Sequence, residues 1–370
     1  MIENLIEKLK TFENAGKKGV VGFDGFVDEI VHVVDKRIDS DTFHRIETIE
    51  GYGRRISKSA GLSTNIEMVS MQKKLGGNGP IFANSLIHQN VDITYIGALG
   101  VPKIDCVFDE MNKRCNMISI SNPGHTDAIE FFDGKIISSK LEPLKSVNWE
   151  SLNQALDKAT FRWMIDQADF CAFLNWTLLI HMNEIWEHII REVLPGMKNK
   201  GDKKLLFIDL ADPEKRSRKD IMTALTYLVE FNHYFKVVLG LNKKESCEIA
   251  QILGMEISDF ERADVVGITK FLQEKIPIHT IVVHPIKSAC AVSQNECVCI
   301  EGPYCKRPRL TTGAGDNFNA GFVLGQISGM NLEESLYLGV ANSGYYVRYG
   351  KSADIGELSQ FLKDWKNLNL

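Results

Sequence analysis

The residues that best indicate chemistry form a short turn near the C-terminus, Gly313-Ala314-Gly315-Asp316. Small residues let the backbone turn sharply and let an anion approach the amide groups closely. An apolar stretch with helical spacing follows, and the start of a helix adds unpaired N–H groups and a positive dipole end. A carboxylate repels phosphate, so we interpret Asp316 as a base that deprotonates the group attacking the phosphate. The turn therefore predicts phosphoryl transfer.

Two other segments contain residues suited to binding a polar substrate. Gly76-Gly77-Asn78 precedes an apolar, helix-like run and could bring substrate hydroxyls to the backbone, although a tight loop entering a helix explains it equally well. Asp28, and as a second choice Asp24, follow a candidate strand and could accept hydrogen bonds from paired sugar hydroxyls. A helix cap or a turn acid is the alternative interpretation of both carboxylates.

A metal-binding pattern is weaker. Asn242 and Glu245 follow another candidate strand, and oxygen ligands at this spacing could orient waters around Mg²⁺. The same Asn-x-x-Glu pattern is also typical of a helix N-terminus. The histidines His88, His181 and His284 stand isolated from any recognisable nucleophile, and we interpret them as structural or surface residues.

Composition excludes several classes of protein. The formal net charge of −5 argues against a non-specific nucleic-acid surface. The N-terminus carries acids among its apolar residues, unlike a signal peptide, and the longest apolar stretch is too short to span a bilayer. We therefore expect a protein of the cytoplasm, with neither nucleic acid nor membrane as partner. Eight cysteines in 370 residues do not indicate a disulfide scaffold, and without a Cys-x-x-Cys pair we expect reduced thiols rather than a zinc site.

The order of apolar segments predicts the fold class. Short β-rich runs at 20–23, 93–97, 170–174, 205–209, 237–241 and 280–284 alternate with helical patterns such as 183–194, 220–231 and 245–253. This alternation predicts an α/β fold, a doubly wound and mostly parallel sheet with helices on both faces. In such sheets ligands bind beyond the carboxyl ends of the strands.

Two segments interrupt the alternation and predict a second, smaller sheet. Residues 29–74 are polar with weak β signals, and residues 116–139 look like a β meander. We expect these two segments to pair as a lid over the strand ends. The large α/β domain would then consist of residues 1–28, 75–115 and 140–370.

Taken together, the motifs and their order resemble the ribokinase-like (PfkB) carbohydrate kinases along nearly the whole chain. The most specific element is the signature from Thr312 to Gly321. The resemblance implies a doubly wound sheet with a β lid and a set of site residues. These are Asp316 as catalytic base; Gly313, Ala314 and Gly315 as anion hole; Asn242, Glu245, Thr312 and Asn342 for the nucleotide and magnesium; and Asp28, Asp24, Gly76, Gly77 and Asn78 for the substrate.

The resemblance also implies the activity: an ATP- and Mg²⁺-dependent kinase that phosphorylates a hydroxymethyl group of a sugar or sugar-like molecule. Activation by a monovalent cation such as K⁺ and a homodimer formed through the lid are family traits that the sequence leaves open. One departure stands out, because the family's nucleotide-contacting Thr-x-Gly turn is replaced here by His284-Pro285-Ile286-Lys287. A nucleoside kinase and a catalytically weak sensor that binds a sugar or nucleotide are the alternative interpretations.

Overall fold

A computed structural model describes residues 2–12, 16–197, 203–294 and 296–368. Within these ranges the strands are β1 (Lys18–Phe23), β2 (Phe26–Arg37), β3 (Phe43–Arg45), β4 (Met68–Gly76), β5 (Asp92–Ala98), β6 (Asn116–Ser121), β7 (Gly124–Glu130), β8 (Lys135–Lys140), β9 (Phe170–Phe173), β10 (Leu205–Asp209), β11 (Lys236–Leu241), β12 (Thr280–Val283), β13 (Ser288–Ser293) and β14 (Glu296–Glu301).

The helices of the same ranges are α1 (Ile2–Phe12), α2 (Ile49–Ser57), α3 (Asn78–His88), α4 (Asp109–Asn112), α5 (Trp149–Ala155), α6 (Lys158–Gln167), α7 (Met182–His188), α8 (Arg218–Phe231), α9 (Lys243–Ile252), α10 (Val265–Lys275), α11 (Ala314–Ile327), α12 (Leu332–Tyr349) and α13 (Ile355–Lys366). None of these helices combines the length and the apolar composition that crossing a membrane requires.

The main sheet contains nine strands in the order β14-β13-β12-β11-β10-β9-β1-β5-β6. The strands from β12 to β6 are parallel, and β13 and β14 add an antiparallel hairpin at one edge. The predicted doubly wound, mostly parallel sheet is confirmed. The chain order reverses at β1, which lies between β5 and β9, and ligand sites of such sheets form at this kind of reversal.

Helices cover both faces of the main sheet because its strands are apolar on both sides. On one face Phe82 of α3 stacks on Phe207 of β10, with ring centroids 5.8 Å apart. On the other face Phe173 of β9 lies 6.1 Å from Phe231 of α8. Burying each such side chain stabilises the fold by about 1.5–3 kcal/mol, so the strand ends are held by a rigid support.

The second sheet is the lid, formed by β2, β3, β4, β7 and β8. The long strand β2 pairs with β4 and β7 along its first half and with β3 near its end, and β7 pairs with β8. Helix α2 covers its outer face, where Tyr52 lies 5.5 Å from Phe131. The lid follows the main sheet directly, because Asp24 and Gly25 alone separate β1 from β2.

The predicted lid boundaries are wrong at two places. Residues Asn116–Ser121 form β6, which pairs with β5 in the main sheet, whereas 116–139 was expected to form one lid meander. Alternating apolar residues fit either an edge strand of a large sheet or a strand of a lid, so the pattern could not distinguish them. The lid also begins earlier than 29, at Phe26, and β4 continues to Gly76.

The expectation of reduced thiols is wrong for one pair of cysteines. Cys290 of β13 and Cys299 of β14 are directly opposite in the hairpin register and are joined by a disulfide. The spacing of cysteines in the sequence does not show which residues of β13 and β14 lie opposite each other, so the pairing could not be predicted. The free thiols of the described residues are Cys106, Cys115, Cys171, Cys247, Cys297 and Cys305.

Candidate active site

The turn before α11 is fixed by its backbone conformation and by one tyrosine. Gly313 caps the helix with φ of 91°, in the left-handed region that favours glycine. A Cβ atom at this position would lie 2.8 Å from the Tyr346 hydroxyl oxygen. The same hydroxyl donates a hydrogen bond of 2.9 Å to the carbonyl oxygen of Thr312. The turn therefore requires glycine at 313, and Tyr346 holds it from behind.

The amides of the turn are not equally free. The Ala314 N–H donates to the carbonyl oxygen of Thr311 at 3.1 Å, so this amide is already engaged inside the turn. The first N–H groups of a helix have no partner within it, and here these include the amides of Gly315 and Asp316. The predicted anion hole of Gly313, Ala314 and Gly315 stays a prediction, and of its amides that of Ala314 already has a partner.

Two cavities lie on opposite sides of this turn. The lid cavity, of about 260 Å³, lies between the lid and the strand ends and reaches Thr312, Gly313 and Asp316. The hairpin cavity, of about 380 Å³, lies next to the β13–β14 hairpin and reaches Ala314 and Gly315. A turn of four small or short residues thus forms a wall common to both cavities.

Asp316 lies at the lid-cavity side of that wall. Its side chain is buried, and its Oδ1 accepts a hydrogen bond of 2.9 Å from the Asn78 amide. Burial, together with the negative charges of Asp209 and Asp24, raises the pKa of Asp316 well above its usual value. This carboxylate is therefore a stronger base than a free aspartate, and Asn78 fixes its orientation.

The lid presents a row of polar side chains to the lid cavity. Lys74, Asp28, Thr126 and Ser139 lie side by side on β4, β2, β7 and β8, as the strand register shows, and all four line the cavity. The Lys74 ammonium makes no hydrogen bond or ion pair of 4.0 Å or less to any described residue. Burial raises the pKa of Asp28 and lowers the pKa of Lys74. We call these four residues the lid row.

Asp24 does not line the lid cavity, so its predicted role as a hydroxyl acceptor is wrong. It is fully buried and accepts hydrogen bonds from the backbone amides of Asn78 (3.0 Å) and Gly79 (2.9 Å) and from the Asn175 side chain (2.7 Å). Burial raises the pKa of Asp24 to about 6, although these donors oppose the effect. Asp24 instead fastens the start of α3 to the ends of β1 and β9.

The remaining predicted substrate residues divide into two groups. Gly77 and Asn78 line the lid cavity as expected. Gly76 does not, because it packs directly against the Asp28 side chain and leaves no room for a Cβ atom. Its predicted contact with substrate is therefore replaced by a contact with Asp28.

Asn175 is a cavity residue that the sequence interpretation missed. Its side chain lines the lid cavity, and within the described residues its buried Oδ1 has no hydrogen-bond partner. The signal was present, since Asn175 directly follows the predicted strand at 170–174. Lys74, Thr126, Lys135 and Ser139 were missed as well, because strand register decides which lid residues face the cavity.

Asn242 and Glu245 form a helix cap, as the alternative interpretation of their spacing stated. The Asn242 side chain accepts from the Glu245 amide, and Glu245 Oε2 accepts from the Asn242 amide at 2.9 Å. Glu245 Oε1 accepts from the Asp212 amide at 2.9 Å. Asn242 lines the hairpin cavity, whereas Glu245 is buried behind it.

The buried carboxylates beneath the turn fit a divalent cation. Burial and the charge of Glu245 raise the pKa of Asp209 to about 8, and burial also raises the pKa of Glu245. A cation would relieve this mutual repulsion. The oxygens of both carboxylates already accept hydrogen bonds from protein donors, so a Mg²⁺ ion here would be contacted through waters, as is common for Mg²⁺.

Asn342 does not reach the hairpin cavity, so its predicted contact with the nucleotide is wrong. It is fully buried, donates to Ser85 Oγ at 2.9 Å and to the Asn317 carbonyl oxygen at 2.6 Å, and accepts from Gln89 at 2.9 Å. The amide thus joins α3, α11 and α12. Its neighbour Ser343 lines the cavity instead.

Comparison with known sequences decides the family. A sequence model described as prokaryotic ketohexokinase matches residues 6–365. The chain belongs to the prokaryotic ketohexokinase family. Ketohexokinase from Haloferax volcanii is 26% identical over 353 residues, which cover 94% of this chain and 91% of that protein. The predicted sugar kinase of the ribokinase-like class is confirmed.

Solved structures show the same fold at low sequence identity. Ribokinase from Thermotoga maritima superposes with a TM-score of 0.61 at 17% identity, covering 94% of this chain and 99% of that one. Ribokinase from Arabidopsis thaliana, complexed with ribose and ATP, gives 0.62 at 15% identity, with 94% and 99% covered. A phosphofructokinase-2 mutant from Escherichia coli gives 0.63 at 12% identity, with 95% and 99% covered.

The burial of Asp316 predicts a pH-dependent stability difference. Its pKa is raised on folding, so the folded state binds this proton more tightly than the unfolded state, and stability falls as pH rises above the unfolded value. We expect Asp316→Asn to gain unfolding free energy relative to wild type as the pH is raised from about 4 to about 8. Urea unfolding across this range measures it, with the exposed Asp41→Asn as control. If the difference in unfolding free energy between Asp316→Asn and wild type did not change with pH, the raised pKa of Asp316 would be contradicted.

Proposed function

We propose that this protein is an ATP- and Mg²⁺-dependent kinase that phosphorylates a hydroxymethyl group of a ketohexose. One observation carries the proposal: Asp316 lies where two cavities meet across a turn with free helix-start amides. A base on one side of such a turn and an anion site on the other are the two parts that phosphoryl transfer requires. The ketohexokinase of Haloferax volcanii supports the choice of sugar.

In this proposal the sugar binds in the lid cavity and the nucleotide in the hairpin cavity. Asp316 accepts the proton of the sugar hydroxyl, and the Asn78 side chain keeps the base aimed at it. The amides of Gly315 and Asp316 stabilise the charge that develops on the transferred phosphoryl oxygens. The lid excludes water, which would otherwise take the place of the sugar as phosphate acceptor.

Magnesium would be held through waters by Asp209 and Glu245, where it supplies positive charge for the nucleotide phosphates. The raised pKa values of these buried carboxylates support this placement. Asn242 lines the hairpin cavity and would contact the nucleotide, whereas Thr312, predicted to do the same, lines the lid cavity beside the turn. Dependence on K⁺, a location in the cytoplasm and the absence of nucleic-acid and membrane partners stay predictions.

The lid row supports a small polyhydroxylated substrate over a nucleoside. The lid row combines one cation, one anion and two hydroxyl groups on four neighbouring strands, so that adjacent groups are about one strand spacing apart. Such a row can bind several sugar hydroxyls at the same time. Asn175 Oδ1 adds an acceptor without a partner among the described residues. Repulsion among three buried carboxylates destabilises the fold. A sensor without activity would gain nothing from such an arrangement, whereas a kinase gains a strong base.

The base assignment predicts a large loss of turnover. We expect Asp316→Asn to lower kcat by about two to four orders of magnitude while it still binds ATP, because the deprotonating group is lost but the hairpin cavity is intact. ATP-dependent product formation is measured with ketohexoses, aldohexoses and nucleosides, and Asp41→Asn serves as the exposed control. Unchanged turnover in Asp316→Asn would defeat the assignment. If a nucleoside were phosphorylated in preference to ketohexoses, the proposal that the substrate is a ketohexose would be wrong.

The lid row predicts a specific effect on sugar binding. Lys74→Met removes a cation that faces the lid cavity, so we expect KM for the sugar to rise by about 10- to 100-fold while KM for ATP stays the same. Lys73→Met is the matched control, since the adjacent Lys73 points away from the cavity and lies 3.6 Å from Glu29. Equal effects of both substitutions would show that the lid row does not bind the sugar.

We also propose a homodimer formed through the lid. Among the described strands β4 pairs only with β2, so its other edge is free, and Met68 and Met71 on this strand are 41% and 51% exposed. An unpaired edge with apolar side chains is suited to pairing with another chain. We expect light scattering to give a mass close to twice 41.6 kDa, and Met71→Lys to reduce it to that of one chain. A measured mass equal to that of one chain for the wild-type protein would contradict the proposal.

A further inference from the structure

His284 occupies a fixed position at the end of a strand. It directly follows β12, and its backbone N–H donates to the Leu241 carbonyl oxygen at 2.9 Å, which continues the pairing with β11. Its ring packs against the Phe318 ring of α11, with centroids 4.6 Å apart. The imidazole is therefore held between the end of the sheet and the first turn of α11.

This position brings the imidazole to the anion-binding end of the hairpin cavity. A Cβ atom built on Gly315 would lie 3.3 Å from Cε1 and 3.9 Å from Nε2 of His284. His284 and Gly315 both line the cavity. The imidazole therefore lies next to the place where an anion at the Gly315 amide would bind.

The ring has no partner on another residue. Apart from a hydrogen bond with its own backbone, the imidazole of His284 makes no hydrogen bond or ion pair to any described residue, and burial outweighs that bond and lowers its pKa to about 4. The imidazole is therefore neutral near pH 7, with one N–H donor and one acceptor nitrogen. Lys287, three residues further on, lies over the Tyr304 ring at 4.8 Å instead.

We propose that His284 is a further catalytic residue, which donates a hydrogen bond from its ring N–H to the nucleotide phosphate oxygens held at Gly315. This inference rests on the proposed kinase function and adds a donor that the sequence interpretation had assigned to structure. The proton stays on the ring throughout, because the residue stabilises charge and does not transfer hydrogen. In this chain His284 lies where the resemblance led us to expect a Thr-x-Gly turn that contacts the nucleotide. The imidazole side chain would thus make the contact with the nucleotide that this turn makes elsewhere.

Two substitutions separate this role from packing. His284→Leu keeps an apolar contact with Phe318 but removes the donor, and we expect kcat to fall about 100-fold with KM for the sugar unchanged. His284→Gln places an amide N–H at similar reach and should recover at least about tenfold of that loss. His279→Gln, the same change at the other end of β12, is the matched control and should keep wild-type turnover.

Two results would overturn the proposal: wild-type kcat in His284→Leu, or equal losses in the Leu and Gln variants together with equally lowered melting temperatures. A binding measurement tests the contact even if no sugar is phosphorylated. In ¹⁵N-histidine spectra, the signal that His284→Gln removes should shift when Mg²⁺ and a non-hydrolysable ATP analogue are added. An unchanged signal, with the analogue shown to bind by calorimetry, would overturn the contact. Failure of the kinase function alone would leave this shift in place.

Discussion

The structure depends on keeping several carboxylates close together in a buried place. Asp24, Asp209 and Asp316 repel one another, and burial adds to the free-energy cost of ionising each of them. The fold tolerates this arrangement because donors surround the acids: backbone amides and Asn175 bind Asp24, and Asn78 binds Asp316. The rigid helix-covered sheet supplies the packing energy that offsets the repulsion. A strong base is the chemical result of that compromise.

In the proposed function the lid supplies selectivity, while the turn from Gly313 to Asp316 belongs to the body. Its register places the four residues of the lid row on one face, above the base, while the other face packs on α2. A shift of one residue in any of these strands would turn its side chain to the opposite face. If the lid row binds the sugar as proposed, substrate choice would depend on strand pairing as much as on residue type.

Local sequence patterns predicted the parts of the protein whose signals are local. The strands of the main sheet, the glycine turn and Asp316 follow from apolar runs and from backbone requirements at single positions. Asp24 and Asn342 were assigned to ligands but are buried among hydrogen-bond partners from distant segments, and β6 was assigned to the wrong sheet. Lys74 and Asn175 were missed. Each of these depends on contacts between segments far apart in the chain, which spacing cannot reveal.

The short connection between β1 and β2 has a mechanical consequence. Both lid strands nearest the base join the body through residues of the Asp24 network, β2 through Asp24 itself and β4 through Gly77 and Asn78. Asn78, which orients the Asp316 carboxylate, is the first residue of α3 and is held to the body by Asp24. Under the proposed function, a movement of the lid about these short joints would therefore enclose the sugar while the carboxylate keeps the orientation that the body gives it.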